Sequence, residues 1–169
     1  MMAGPLAKGR ELARQVGTPK TIINDAGHAA GRRMRDYAAF AEPGSERNAL
    51  LVECGQHWAA ASGELSDDCA VRFLRVTGCV DDGFAPHLGR DPLPANDCFE
   101  VTDVVTIQAE LFRFASPFTG GEILPKAGTT LGWDGDREVR TPYDDRMLVM
   151  PSKRLYRGQT AVRLARRVG

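Results

Sequence analysis

This chain has no excess charge of either sign. Its 22 Lys and Arg balance 22 Asp and Glu, for a formal net charge of +0 over 169 residues. Nothing electrostatic therefore favours nucleic acid or an anionic membrane as a partner. No apolar run approaches the length needed to cross a bilayer. The four cysteines, Cys54, Cys69, Cys79 and Cys98, never fall at C-x-x-C spacing, which argues against a zinc knuckle or a redox motif. With no signal peptide in view, they are expected as reduced thiols in a cytoplasmic protein. Of the three histidines, His28, His57 and His87, none stands in an H-x-x-E or H-E-x-x-H pair, so the sequence holds no complete zinc site. A G-x-S-x-G elbow is missing too, and the glycines at 27 and 31 form neither a P-loop nor a dinucleotide fingerprint.

What is there centres on one short run, Leu50-Leu51-Val52-Glu53-Cys54-Gly55-Gln56-His57-Trp58. An apolar, strand-like stretch ends in a carboxylate, a glycine, an amide and an imidazole. Strands of α/β enzymes deliver reactive side chains at their C-terminal ends, so chemistry is expected here. Burial of Glu53 would raise its pKa and suit it to general acid–base work; the bland alternative is an ion pair with one of the arginines. His57, four residues on, is read as facing the same cleft, as a neutral hydrogen-bonding imidazole or as a ligand. Cys54 alternates with Glu53 and is read as a packed thiol. His87 is read as solvated, and His28 as part of a glycine-punctuated turn or a flap. Arg32, Arg33 and Arg35 could grip an acidic substrate, but a solvated helix face pairing with Asp36 and Glu42 is the better reading.

The pattern along the chain predicts an α/β portion over residues 1–82, a linker over 83–97 and a β-rich domain over 98–169. Leu6 to Val16 reads as a helix stopped by Gly17 and Pro19, Lys20 to Asn24 as a short strand, and Ala49 to Cys54 as a strand buried on both faces. Leu65, Cys69, Phe73 and Val76 recur at helical spacing, giving a helix over Ser62 to Thr77 with Ser62 or Ser66 as its cap. Three prolines and two glycines between Gly83 and Pro94 read as a connector. Beyond it, Glu100 to Phe114 can hold one or two strands, and turn signals then recur about every eight residues, the pitch of a small sandwich or barrel. Met147 to Met150 and Thr160 to Leu164 are the expected closing strands, the last in a basic tail with one solvated face.

The run Asn48 to Trp58, the helix after it, and Phe114-Ala115-Ser116-Pro117-Phe118-Thr119-Gly120-Gly121 resemble the succinylglutamate desuccinylase/aspartoacylase family, zinc-dependent deacylases. The resemblance spans nearly all of this chain but only the later part of the family's length. It implies a partial carboxypeptidase-like α/β domain followed by a β-rich domain, and an N-acyl amino acid as the small-molecule substrate. It further implies a general-base role for Glu53, a cleft lined by Gln56 and His57, and a substrate-binding tyrosine at Tyr156, with Tyr143 as the other candidate. Zinc is implied as cofactor. The family's ligands, an H-x-x-E pair and a later D-L-H histidine, have no counterpart here. The expectation is thus a portion of a longer deacylase, or a truncated paralogue that regulates an intact one, inactive alone and able to self-associate. A different class stays open. The β-rich half also resembles lipoyl- or biotinyl-type barrels, with Lys126 as the turn lysine, although its Pro125 and Ala127 flanks do not match a carrier site.

Overall fold

The computed structural model describes residues 1–26, 31–93 and 95–168, so His28 lies outside the described residues. The chain divides into two compact units, Met1–Cys98 and Phe99–Gly169.

In the first unit, α1 covers Ala7–Val16 and buries Gly9, Leu12, Ala13 and Val16. It stops where expected. Gly17 takes the left-handed conformation (φ 72°) and donates its N–H to Ala13 O at 2.9 Å, a geometry that a residue without Cβ adopts at little cost. Strand β1 (Thr21–Asn24) follows. Met2 bridges Ile23 in parallel and Leu51 in antiparallel fashion, so the first residues of the chain lie between two extended segments.

Two expectations need correction here. Ala49 to Cys54 is not a regular strand: Leu51 exchanges N–H···O bonds with Met2 (2.8 and 3.3 Å), and no ladder extends from them. With one partner residue, Leu50 and Val52 stay half-buried rather than covered on both faces. The arginine cluster is not a solvated helix face either. Met34–Asp36 forms a 3₁₀ turn that drives Arg35 inward, where it donates to Met2 O (2.8 Å) and Asp25 O (3.0 Å). Backbone carbonyls in need of donors hold the guanidinium inside, which the spacing of charges along the sequence does not show.

Helix α2 spans Ala60–Val76. Ser62 and Ser66 lie inside it, and its N-cap is Ala59 without a side-chain bond. Cys69 is buried as the spacing predicts, but Val71 takes the second buried position and Val76 is exposed. The segment after α2, expected as a connector, is strapped to the helix. Arg75 donates to Phe84 O (2.7 Å) and Leu88 O (2.8 Å), Arg72 to Asp91 O (2.8 Å), and Asp68 accepts from Gly89 N–H (2.9 Å). Lys20 pairs with Asp97 at 2.8 Å, where β2 (Asp97–Thr106) begins.

The second unit is all β after β2: β3 (Phe112–Phe114), β4 (Ile123–Leu124), β5 (Thr130–Asp134), β6 (Arg137–Arg140), β7 (Arg146–Val149) and β8 (Thr160–Arg167). One sheet runs β2-β8-β7-β4 and the other β3-β5-β6. Leu131, Leu148, Val162 and Leu164 form the core, with Val105, Phe114, Phe118, Leu124 and Val139 packed on it. Phe112, Phe114 and Phe118 meet edge to face at 5.1 and 5.8 Å, the arrangement that ring quadrupoles favour. Gly132 is required for the second sheet, because a Cβ there would fall 2.3 Å from Arg113 O. The closing strands appear as predicted, but β8 has no solvated face. It lies between β2 and β7, and Ala161 to Ala165 are all buried, Arg163 included.

Candidate functional site

Glu53 ends the extended segment, and a loop from Cys54 to Ala59 then leads into α2. Gly55 makes the turn possible. Its φ of +115° is strained for any side chain, and a Cβ would come within 2.8 Å of Ser62 Oγ. Glu53, Gln56 and His57 all lie exposed on this one stretch, and Trp58 beside them is 97% exposed. The sequence therefore brings these three groups together, but the burial expected for Glu53 is absent. Alternation holds: while Glu53 faces solvent, Leu50, Val52 and Cys54 line an apolar groove of about 390 Å³ with Cys69, Phe73 and Leu74 of α2.

Burial raises the Cys69 thiol pKa above its ordinary value, and the neighbouring Cys54 adds to the effect. The Cys69 thiol is therefore a poor nucleophile. The Met1 amino group donates to Thr21 O at 2.6 Å. Its burial pulls the pKa down, against the opposite pull of Cys69, Cys54 and Glu53.

A second cavity, about 240 Å³, is lined by Gly4, Lys8, Arg35, Asp36, Phe40 and Asn48 among others. Its polar groups are largely committed to structure. Lys8 Nζ donates to the carbonyls of Glu42 (2.7 Å), Ser45 (3.1 Å) and Arg47 (2.7 Å), and Asn48 Nδ2 to Lys8 O (2.8 Å). Sequence reasoning missed Lys8 because nothing local distinguishes a lysine that collects distant carbonyls from a solvated one.

In the second unit, Tyr156 is about half exposed, in the loop between β7 and β8. Tyr143 donates its hydroxyl to Thr102 and to Asp103 (3.3 Å). Lys126 sits in the turn between β4 and β5, 80% exposed and 3.6 Å from Asp144. Asp134 is the buried acid of this unit. Burial pushes its pKa up, but N–H donors from Ala109 (2.9 Å) and Gln108 (3.0 Å) and the Arg137 guanidinium (3.1 Å) outweigh that and hold it below the ordinary value. Among the described residues, no group of three or more His, Cys, Asp or Glu could hold a metal ion. The residues present do not fit a zinc site.

Along its full length the chain superposes on a succinylglutamate desuccinylase structure from Vibrio parahaemolyticus, at a TM-score of 0.59 and 14% identity. It covers 100% of this chain and 48% of that one. The fold is desuccinylase-like. A second such structure, from Vibrio cholerae, matches 94% of the chain at a TM-score of 0.56 and 18% identity, over 44% of its own length. The chain thus spans about half the length of the desuccinylases it resembles. No family profile matches the sequence, and no curated protein does. The mixed architecture expected from the sequence, helices and a short strand before a β-rich unit, agrees with this desuccinylase-like fold. Among the described residues no helix is long and apolar enough to cross a membrane.

Proposed function

We propose that this chain forms part of a hydrolase that deacylates N-acyl amino acids, with Glu53 as the general base. The observation that carries the reading is the likeness to desuccinylase structures along the whole chain, with Glu53, Gln56 and His57 held together on one exposed loop. An exposed carboxylate at the end of an extended segment can accept a proton from water as the oxygen adds to the amide carbonyl. The same proton then passes to the departing amine as the C–N bond breaks, leaving a carboxylate and a free amino acid. The Gln56 amide and the His57 imidazole are assigned to hold the polar groups of the substrate. Zinc, which the family resemblance implies, finds no ligand set in the described residues, and no step here is routed through it.

The reading predicts that the purified chain alone does not hydrolyse N-succinyl or N-acetyl amino acids. It also predicts an in-frame H-x-x-E and a later D-L-H motif in the coding DNA upstream of Met1. Deacylation by the isolated chain would contradict the first expectation. Upstream DNA without either motif would leave Glu53 in a non-catalytic relative.

A further inference from the structure

The second unit holds a cation that neither its core nor the proposed chemistry uses. Arg146 opens β7 opposite Leu124 of β4 and is fully excluded from solvent. None of its three guanidinium nitrogens has a hydrogen-bond partner. A guanidinium does not escape burial by losing its proton. A buried cation without a counter-charge is destabilising, a cost that an apolar side chain of similar volume would avoid. The nearby carboxylate is Asp103, yet it accepts from the Thr102 hydroxyl (2.8 Å) and the Tyr143 hydroxyl (3.3 Å) instead. The half-buried Tyr143 ring lies over the Arg146 guanidinium, latched by its hydroxyl to Thr102 and Asp103. Arg146 is thus a fork of donors covered by one aromatic ring.

We propose that Arg146 is the donor of a binding site for small carboxylates, closed by Tyr143 and opened when its hydroxyl leaves Thr102 and Asp103. The planar fork matches a carboxylate through two parallel hydrogen bonds. The ligand is small because it takes the place of one phenol ring. Asp103 and Arg166 both lie near enough to act electrostatically on Arg146, and Arg166 is itself paired with Glu100 at 3.0 Å. Asp144 and Asp145 stand exposed in the same loop, which disfavours a dianionic phosphate against a monocarboxylate. The site is independent of the deacylase reading.

Calorimetric titration of the full chain with acetate, succinate and inorganic phosphate, at constant ionic strength against chloride, tests this. Saturable binding of acetate is expected, with the succinate dianion bound more weakly. Tyr143→Phe, which lacks the latch hydroxyl, should bind them roughly fivefold tighter, the worth of one net hydrogen bond. Arg146→Met should abolish the binding; if that variant does not fold, Tyr143→Phe alone decides. No saturable carboxylate binding in either the wild type or Tyr143→Phe would overturn the proposal. Equal affinity in the two would do the same, and so would a preference for phosphate.

Discussion

The two units are held together by different means. In the second, β8 is hydrogen-bonded on both sides, and Leu131, Leu148, Val162 and Leu164 are 2% exposed or less. In the first, the extended segments meet through single bridges at Met2, and the groove beside Leu50 and Val52 stays open. Alongside the buried Met2, Leu12, Ala13, Val16 and Ile22, charged side chains there reach for backbone carbonyls: Lys8 across residues 42–47, Arg35 to Met2 and Asp25, and Arg75 to Phe84 and Leu88. The unit with the firm core carries little of the proposed chemistry. The unit that carries Glu53 holds it beside an open groove, on a loop rather than in a ladder.

The contrast can be broken most forcefully in the second unit. Leu148→Ala should cost about 2–5 kcal/mol in urea denaturation, because the residue is fully buried in a packed cluster. Asp134→Asn comes next, at roughly 1–3 kcal/mol, since the neutral amide cannot accept from Gln108, Ala109 and Arg137 as the carboxylate does. Asp134 also sets a pH dependence. Its folded pKa lies below the ordinary 3.8, so its contribution is complete above that value and is lost as pH falls through the lowered one. The acid limb of the stability profile should therefore flatten in Asp134→Asn.

In the first unit, Lys8→Met should cost about 1–2 kcal/mol and speed amide hydrogen exchange across residues 39–47, where its carbonyl partners lie. Smallest of all, Leu50→Ala should shift stability by about 1 kcal/mol or less, because the side chain borders an open groove. A Leu50→Ala cost equal to that of Leu148→Ala would erase the distinction between the units.

Much of this was legible in the sequence where local rules decide. Gly17 stops α1, spacing places Cys69 on the buried face of α2, and β-branched runs become β2 and β8. What failed depended on distant partners. Ala49 to Cys54 has the composition of a buried strand, but pairing needs a neighbour, and Met2 offers a single bridge. Arg35 and Arg163 look like surface cations and are buried, because their surroundings come from remote strands and turns. The Glu53-Gln56-His57 stretch stands out in the sequence as polar groups after an apolar run; the exposure of Glu53 does not, since burial is decided by whatever packs against it.

We propose Glu53 as the base of an amide hydrolase, a role that a rate comparison tests. Where the coding DNA upstream of Met1 supplies the H-x-x-E and D-L-H motifs, initial rates of N-succinyl amino-acid hydrolysis are compared between wild type and Glu53→Gln in the protein that includes them. Melting temperatures are recorded alongside. Loss of general-base catalysis predicts a fall of about 10²–10⁴-fold with an unchanged melting temperature, because Glu53 is exposed. A Glu53→Gln protein that hydrolyses the substrate within a few-fold of wild type would contradict the account.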